Sequence, residues 1–409
     1  MKVLYIVTSY KRSPDDIINP WMVETISRLR GRGVDVTVYT SAWHGQNDHE
    51  VDGTTVRRFR YLPSPLEMFS HDKTIPDQIK ANKLLLLLVP FYILGGIIGL
   101  RRVLRLDKYD LVHVHWPFPL SIFGWFASRW AGAPLINQFY GVELMWVINR
   151  MRVFIPFLRW TAGISDLVVA ISTYTRNLLK DISPETDVEI VPYGSPVPPP
   201  QQFEPLDDSP ERTRRVLFVG RLVERKGVEY LVKAMKKLDL PFPVELDIVG
   251  GGPEESNLNA LVDALDLRGR VHMLGRVDDE RLAACYRDCD CFVLPAVIDS
   301  RGDTEGLGVV LIEALSYRKP VIASNVGGIV DIVKDGHTGL AVPEKDPAAL
   351  AEAIARLMTD RELAGNLGNQ GYDYVKKMFD WDRLTGQWLE LYGRLTGPRE
   401  ENEPAAGAQ

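Results

Sequence analysis

The chain has 409 residues, of which 45% are hydrophobic and 25% are charged. This mixture is typical of folded soluble domains and excludes a disordered, collagen-like or coiled-coil chain, while the length predicts two or three domains. The net charge is −6, but residues 1–200 hold 22 Lys and Arg against 18 Asp and Glu, and the rest hold 26 against 36. The whole chain is therefore too acidic to coat a nucleic acid, whereas its first half could face an anionic surface.

The N-terminus predicts a buried strand rather than a signal peptide. Its apolar run at 3–7 gives way to polar residues at 8–12, so it is too short for a signal-peptide core. Three cysteines, Cys285, Cys289 and Cys291, have only His272 nearby and do not match the spacing of a zinc site. We therefore expect a cytoplasmic protein with reduced, buried cysteines.

Strands and helices alternate over residues 1–195. A helical pattern covers 21–30, and apolar runs predict strands at 3–7, 34–39, 111–115, 135–138, 167–171 and 189–191. Continuous apolar strands that alternate with helices predict a parallel sheet with helices on both faces. The first domain is therefore predicted to be Rossmann-like and to span residues 1–195.

The pattern stops at a proline-rich stretch and then restarts. Residues 196–213 contain prolines that favour a stiff, extended linker. Beyond it, helices are predicted at 228–237 and 254–265, and strands at 215–219, 245–249, 271–274, 291–294, 321–323 and 340–342. We predict a second Rossmann-like domain over 214–375, a late helix within 376–396 and a disordered tail at 397–409. Ligands of such sheets bind beyond the carboxyl ends of the strands, which predicts a cleft between the domains.

Two glycine-rich turns follow predicted strands of the second domain. Arg221 comes directly after Gly220 at a strand end, and Lys226 precedes a glycine at a helix start. Two cations, a glycine and a helix N-terminus suit a diphosphate, although a surface Arg and Lys beside a turn would give the same pattern. The turn at 250–252 lacks the Lys and Ser/Thr of a Walker sequence, which argues against ATP binding there.

The segment 303–315 carries two carboxylates around a helix start. Glu305 lies in a loop before a helix that we predict to begin near Gly308, and Glu313 lies about two turns into it. Amides at a helix start can bind phosphate, and a carboxylate can accept hydrogen bonds from sugar hydroxyls. A carboxylate within an apolar helix needs a partner, which could be a ribose or, structurally, a buried arginine.

These motifs together resemble glycosyltransferase family 4. Glu305 and Glu313, with seven residues between them, resemble the two-glutamate motif of its retaining enzymes. The cationic turn at 220–227, the glycine turn at 250–252, and the segments 320–328 and 335–340 follow in the family's order and spacing. The resemblance implies a GT-B fold, in which two doubly wound Rossmann-like domains of the α/β class face each other across a cleft. It also implies a nucleoside-diphosphate-sugar donor, with neither cofactor nor metal.

The resemblance also assigns roles to residues. Arg221 and Lys226 would be catalytic and neutralise the donor diphosphate, Glu305 would hold the transferred sugar, and Glu313 would bind the ribose. The final helix would return to the first domain. Backbone contacts are implied for the sugar and diphosphate at Gly306, Leu307, Gly308 and Val309, and for the base near Val277.

The first domain carries less distinct signals. The segment 110–116 resembles the family's strand that ends in a cleft-facing histidine, and of two histidines on one strand face His115 lies nearer the carboxyl end than His113. We predict that His115 is catalytic, with a satisfied sheet histidine as the alternative. Lys11, Arg12 and Tyr140 are candidates for the acceptor side, although 9–20 and 139–143 depart from the family pattern and the two cations could be solvated loop charges.

Residues 84–100 form an uncharged run of 17 residues bracketed by cations. Its length is marginal for a spanning helix, which needs about 20 apolar residues, and one crossing would separate strands of one sheet. A buried or interfacial segment remains. The flanking cations, which would favour an anionic membrane surface, are Lys80, Lys83, Arg101, Arg102 and Arg105.

The sequence therefore predicts a metal-independent, retaining glycosyltransferase at the inner face of the cytoplasmic membrane. It would transfer a sugar to a hydroxyl of a lipid-linked or polysaccharide-precursor acceptor by front-face displacement. The alternatives on the same fold are a sugar-nucleotide epimerase, which needs no acceptor, a phosphorylase, which needs phosphate, and a non-catalytic nucleotide-sugar-binding protein.

Overall fold

A computed structural model describes residues 1–16, 18–69, 83–195, 197–198, 200, 203, 209 and 212–397. Most of the linker predicted at 196–213 and nearly all of the tail predicted at 397–409 lie outside the described residues, as does Lys80. The described residues form two α/β units, and this confirms the prediction of two doubly wound Rossmann-like domains.

The first domain is built on an eight-stranded sheet in the order β3-β4-β2-β1-β5-β6-β7-β8. Its strands pair in parallel except for the antiparallel hairpin β3–β4. The strands are β1 (Lys2–Ile6), β2 (Asp35–Ser41), β3 (His49–Val51), β4 (Thr54–Phe59), β5 (Leu111–His115), β6 (Leu135–Phe139), β7 (Leu167–Ala170) and β8 (Val188–Ile190). The α-helices are α1 (Pro20–Gly31), α2 (Val89–Leu106), α3 (Pro117–Ala131), α4 (Val142–Arg150), α5 (Ile155–Gly163) and α6 (Thr173–Ile182). Short 3₁₀ turns lie at Ser64–Leu66, Lys83–Leu88 and Arg152–Phe154.

The second domain is built on a six-stranded parallel sheet in the order β11-β10-β9-β12-β13-β14. The strands are β9 (Arg214–Val219), β10 (Val244–Val249), β11 (Val271–Gly275), β12 (Cys291–Leu294), β13 (Val321–Ser324) and β14 (Leu340–Val342). The α-helices are α7 (Val228–Lys237), α8 (Glu255–Ala264), α9 (Asp279–Asp288), α10 (Val309–Ser316), α11 (Pro347–Thr359) and α12 (Arg361–Met378), followed by α13 (Trp381–Thr396). Two 3₁₀ turns lie at Glu224–Lys226 and Gly327–Asp331.

The apolar strands of the first sheet are buried on both faces. Val3 and Tyr5 of β1 belong to a core on the side of α1, whereas Leu4 and Ile6 belong to a core on the side of α2 and α3. Alternate side chains of a strand point to opposite faces, so a strand covered on both sides must be apolar throughout. This is the reason why the apolar runs predicted most of the strands to within one or two residues.

The last helix leaves the second domain and packs on the first. Trp388, Leu391 and Tyr392 of α13 are buried in the same core as Tyr5. The hydroxyls of Tyr5 and Tyr392 are 2.7 Å apart, and His113 Nδ1 lies 2.9 Å from that of Tyr392. The helix therefore completes the first domain's core and joins the two domains a second time.

Three features of the fold differ from the sequence prediction, two in the first domain and one in the second. The hairpin β3–β4 was not predicted. The helix after Glu305 begins at Val309, so Glu313 lies in its second turn rather than two turns into it. The uncharged run begins as the 3₁₀ turn before α2 and continues as a helix.

Helix α2 lies on the surface with one apolar face uncovered. Tyr92 and Leu100 are buried, whereas Phe91, Leu94 and Ile98 are 54%, 57% and 62% exposed. Among the described residues, Leu85–Leu106 is long and apolar enough to cross a membrane, by length and composition only. The strands on either side of it, β4 and β5, belong to one sheet, and a crossing helix would place them on opposite sides of the bilayer.

Candidate functional site

The glycine-rich turns of the second domain meet at the carboxyl edge of its sheet. Gly250 follows β10 with a φ of +129°, and a Cβ there would lie 2.0 Å from the carbonyl oxygen of Gly220. A Cβ on Gly252 would lie 2.3 Å from the carbonyl oxygen of Leu222. Since no side chain fits at either distance, glycine is required for the two loops to pack together. The glycines at 250 and 252 thus have a structural role in packing against the protein's own backbone.

Lys226 and Glu305 make the central contact of the site. Lys226 lies in the 3₁₀ turn between β9 and α7, and its Nζ donates to Oε2 of Glu305 at 2.5 Å. The two side chains are only 11% and 13% exposed. The fold thus brings together one predicted diphosphate-binding cation and the carboxylate predicted to hold the sugar.

A second cation, which the sequence analysis did not select, joins this pair. Arg225 Nη1 lies 3.5 Å from Oε2 of Glu305, and its Nε lies 3.5 Å from Oδ2 of Asp303. Burial raises the pKa of Glu305, but Lys226, Arg225 and a hydrogen bond from the Gly308 amide outweigh it and hold this pKa below its usual value. Glu305 is therefore an anion at neutral pH, held by two cations.

Arg221 lies apart from this cluster in the described structure. It is separated from the end of β9 by Gly220 and is exposed. Its carbonyl oxygen accepts from the Val223 amide at 3.0 Å, but its guanidinium makes no hydrogen bond or ion pair with any residue that the structure describes. Its assignment to the diphosphate stays a prediction, and the cation seen at the carboxylate in its place is Arg225.

The loop that carries Glu305 packs against a second glycine pair, Gly327 and Gly328. The Gly328 amide donates to the carbonyl oxygen of Glu305 at 2.8 Å. A Cβ on Gly327 would lie 2.2 Å from that oxygen, and one on Gly328 would lie 1.9 Å from the carbonyl oxygen of Gly306. Gly308, with a φ of +90°, is the N-cap of α10, and no side chain caps this helix start. The Gly308 amide donates to the Glu305 carboxylate. In the described structure the amides of Gly306, Leu307 and Val309 have no side-chain partner, and these are positions where the sequence predicts sugar and phosphate contacts.

Glu313 has a partner that the sequence did not suggest. The hydroxyl of Tyr286 on α9 donates to its Oε2 at 2.6 Å, and the carboxylate is 6% exposed. Burial raises the pKa of Glu313. The structural partner is thus a tyrosine rather than an arginine, and ribose binding stays a prediction. Val277, assigned to the base, is partly exposed just beyond the carboxyl end of β11.

His115 lies at the carboxyl end of β5, beneath aromatic rings. It is 2% exposed. Its Nδ1 lies 2.7 Å from the hydroxyl of Tyr140, and its Nε2 is buried without a partner among the described residues. Burial lowers the pKa of His115 well below its usual value, so the ring is neutral. Its catalytic role stays a prediction, one that needs the covering rings to move.

Tyr140 is a contact point between the two domains. A Cβ on Gly306 would lie 3.0 Å from the carbonyl oxygen of Tyr140, so the loop after β6 touches the loop that carries Glu305. Glu143 Oε1 accepts a hydrogen bond from the Tyr140 amide at 2.7 Å. Nearby, the Thr173 amide at the start of α6 donates to Asp331 Oδ2 of the second domain at 2.5 Å.

Lys11 and Arg12 are already paired, and Arg12 lines a cavity that does not include Glu305 or Lys226. Lys11 Nζ lies 2.7 Å from Asp52, and Arg12 Nε lies 2.6 Å from Asp16. The Arg12 guanidinium also stacks on Trp43 at 4.5 Å. A cavity of about 720 Å³ is lined by Arg12, Ser13, Asp15, Asp16, Trp43, His44, Gly45 and Gln46. Neither cation is the solvated loop charge that the sequence left open.

Comparisons with known proteins match both domains of this architecture. The model of "Glycosyltransferase Family 4" matches residues 21–196, and that of "Glycosyl transferases group 1" matches residues 203–374. The chain is 31% identical over 298 residues to the phosphatidyl-myo-inositol mannosyltransferase of Mycobacterium leprae, covering 71% of this chain and 75% of that protein.

Two further likenesses span nearly all of the chain. It is 26% identical over 381 residues to the GDP-mannose-dependent alpha-(1-6)-phosphatidylinositol monomannoside mannosyltransferase of Mycolicibacterium smegmatis, covering 90% of this chain and 92% of that one. Among solved structures, sucrose-phosphate synthase from Thermosynechococcus elongatus has a TM-score of 0.75 at 23% identity, covering 97% of this chain and 99% of that chain. The similarity to sucrose-phosphate synthase shows a shared fold and nothing more.

Proposed function

Because the chain belongs to glycosyltransferase family 4 and is a glycosyltransferase with the GT-B fold, we propose that it transfers a sugar from a nucleoside diphosphate with retention of configuration. The acceptor is a hydroxyl of a lipid-linked or polysaccharide-precursor molecule. The transfer uses neither a metal ion nor a cofactor. The observation that carries this proposal is the cluster of Lys226, Arg225 and Glu305, in which Lys226 is buried and the other two are partly buried, beside the start of α10.

The cluster suits the charges of a nucleoside-diphosphate sugar. Lys226 stands between Glu305 and the glycine turn after β9, so its ammonium can bind the diphosphate while Arg225 keeps Glu305 in place. Glu305, held as an anion, can accept hydrogen bonds from hydroxyls of the transferred sugar. Lys226, the exposed Arg221 and the free amides of α10 would stabilise the charge that develops on the departing phosphate.

Retention is proposed to follow from a front-face displacement. The bond between the anomeric carbon and the phosphate oxygen breaks, and the acceptor oxygen bonds to the same face of that carbon. The acceptor proton moves to the departing phosphate. The family resemblance supports this route, and so does the ion pair with Lys226, which makes Glu305 a poor nucleophile.

Substitution of the two predicted cations tests the diphosphate site. We expect Lys226→Ala and Arg221→Ala each to lower kcat about 10²–10³-fold, the scale for losing one donor to transition-state charge. Lys233→Ala is the matched control, because Lys233 lies on the neighbouring α7 and pairs with Glu229 at the surface. Near-normal turnover of both GDP-mannose and UDP-glucose in the two variants would contradict the proposed site, and an inverted product anomer would contradict retention.

We also propose that the enzyme works as a peripheral protein at the inner face of the cytoplasmic membrane. The exposed face of α2 offers Phe91, Leu94 and Ile98 to a bilayer. Arg101 of the same helix stacks on Trp130 of α3 at 4.8 Å, so cation and aromatic ring lie side by side at this surface. The relatives named for phosphatidylinositol acceptors support a lipid-linked substrate that such docking would bring to the cleft.

Vesicle binding tests this attachment. Each Lys or Arg beside an anionic surface contributes about 1 kcal/mol, so Arg101, Arg102 and Arg105 replaced together by Gln should lose most of the preference for anionic over neutral vesicles. Wild-type binding should weaken at high salt. The control replaces three arginines of the second domain, Arg268, Arg281 and Arg287, by Gln. Wild-type protein that stays in the supernatant with every vesicle would refute the membrane proposal while leaving the transferase proposal intact.

A further inference from the structure

Four aromatic side chains follow parallel strands at the carboxyl edge of the first sheet. Trp21 starts α1 after β1, Trp116 follows β5, Tyr140 follows β6 and Tyr193 follows β8. Because carboxyl ends of parallel strands meet at one edge, side chains that are distant in sequence are brought together there. We call these four residues the aromatic wall.

The rings of the aromatic wall form one continuous cluster. Trp21 stacks on Tyr193 with centroids 4.6 Å apart, and Trp116 stacks on Tyr140 with centroids 4.5 Å apart. Trp21 joins the two pairs, since its ring lies 5.3 Å from that of Tyr140. Tyr140 is buried, but Trp21, Trp116 and Tyr193 keep part of their surface in contact with solvent.

The backbone holds one of these rings at a conformational cost. Trp116 adopts φ 53° and ψ 71°, the left-handed region that bulky residues rarely occupy. Such strain persists where the surrounding structure demands a particular side-chain direction, and it is concentrated at functional sites. Here it turns the indole of Trp116 onto the face of Tyr140.

The aromatic wall stands opposite the carboxylate of the donor site. The carbonyl oxygen of Tyr140 is in contact range of Gly306, next to Glu305. Burial raises the pKa of the Tyr193 hydroxyl, the negative charge of Glu305 raises it further, and the positive charge of Arg225 lowers it, so both charged groups of the donor site act on this hydroxyl. A molecule resting on the wall would therefore be next to the sugar that Glu305 is proposed to hold.

We propose that the aromatic wall is the acceptor subsite and that it binds a six-membered polyhydroxylated ring, either a pyranose or a cyclitol. This inference rests on the proposed function and names the class of its acceptor. Such rings carry an apolar face of C–H groups, which stacks on the negative face of an indole, while their hydroxyls stay free at the rim. Trp21 and Trp116 supply the stacking faces, and one rim hydroxyl is directed towards the donor sugar.

An acceptor with its hydroxyl on a flexible chain would not use such a surface. A long-chain alcohol needs a groove that buries methylene groups, whereas stacked indoles with hydroxyl-bearing neighbours match a flat ring with polar edges. If the four rings serve only to pack the two domains together, a leucine of similar apolar character at Trp21 would leave ring binding unchanged.

Binding of small rings to the intact protein tests the subsite. The probes are methyl α-D-mannopyranoside and myo-inositol, followed by saturation-transfer NMR with and without GDP. We expect Trp21→Leu and Trp116→Leu to weaken binding of at least one probe about 3- to 10-fold, the range of one aromatic stacking contact. Trp21→Phe should recover most of the affinity. Trp160→Leu, at a tryptophan that is 37% exposed on α5, should match the wild type.

The outcomes separate the two proposals. GDP affinity should be unchanged in Trp21→Leu, because the wall does not hold the nucleotide, and retained GDP binding shows that the variant is folded. Failure of both probes to bind the wild type, or equal binding by wild type and Trp21→Leu, would overturn the subsite. If the wild type consumes neither GDP-mannose nor UDP-glucose, the transferase proposal fails. Binding of the two probes in the absence of a donor still decides whether the aromatic wall is a ring-binding site.

Discussion

The buried carboxyl of Glu143 should make the stability of the first domain fall as pH rises. Glu143 lies in the first turn of α4 and is 6% exposed. One of its oxygens accepts the Tyr140 amide, and the other is buried without a partner in the described structure. Burial raises its pKa from 4.5 to about 7, against the opposing effect of the amide hydrogen bond. The folded protein therefore keeps the proton at pH values where the unfolded chain has lost it.

The size of the effect follows from the two pKa values. Between pH 4.5 and 7 the folded state binds more protons than the unfolded state, so stability is greatest below the lower value and declines through the higher one. At about 1.4 kcal/mol per pKa unit, the decline between pH 5 and pH 8 amounts to about 2–3 kcal/mol. Glu143→Gln keeps the acceptor oxygen and cannot ionise. The difference in unfolding free energy between Glu143→Gln and the wild type should therefore shift by about 2–3 kcal/mol in favour of the variant from pH 5 to pH 8. Any destabilisation by the Gln amide itself is the same at both pH values and does not alter this shift.

Tryptophan fluorescence during urea unfolding measures this domain selectively. All nine tryptophans lie in the first domain or in α13, which packs on it. The wild type and Glu143→Gln are compared at pH 5 and pH 8, with the exposed Glu185→Gln of the same domain as control. Glu185→Gln should track the wild type at both pH values. A constant difference between Glu143→Gln and the wild type would show that Glu143 is ionised in the fold and would refute the reasoning.

Two further predictions separate the roles of the remaining site residues. Glu305→Gln should lower turnover while leaving GDP or UDP affinity largely unchanged, whereas Glu313→Gln should weaken binding of the free nucleotide. Calorimetric titration of both variants with GDP and UDP compares these affinities. Identical affinities would show that the two carboxylates do not have these separate roles. His115→Ala should impair transfer and spare donor binding, measured as initial rates and as nucleotide titration, and unimpaired transfer would leave His115 as a buried partner of Tyr140.

Much of the fold could be predicted because its strands are buried on both faces. Their continuous apolar runs stand out from the amphipathic helices between them. The hairpin β3–β4 was missed because its strands are short and polar, although Asp52-Gly53, with φ 49° and 70°, is the dipeptide that favours a tight hairpin turn. The Asp-Gly turn therefore indicated the hairpin, whereas the hydrophobic periodicity of its strands did not.

The site was predictable where neighbouring residues carry it. The turn with Lys226 and the loop with Glu305 are local motifs, and their meeting follows from adjacent strands β9 and β12. Arg225 was missed because nothing in its spacing distinguishes it from Arg221; only the fold shows which of the two reaches Glu305. Tyr286 was missed as the partner of Glu313 because that pairing depends on how α9 packs against α10.

The aromatic wall shows the same limit in a different form. The sequence named only Tyr140 for the acceptor side. The other three rings, read alone, are ordinary core aromatics, and the four are spread over 172 positions between Trp21 and Tyr193. A signal did exist, since each ring follows a predicted strand. It acquires meaning only when the strand order places those ends beside one another.

The returning helix α13 determines when the first domain can be completed during synthesis. Its core includes Trp388, Leu391 and Tyr392, which leave the ribosome after the entire second sheet. Until then, the faces of Tyr5 and His113 that Tyr392 covers are open to solvent. The second domain can therefore complete its fold before the first, although it is synthesised later. Until α13 is made, the core of the first domain stays incomplete. A chain stopped before α13 would therefore present that apolar surface to chaperones and proteases.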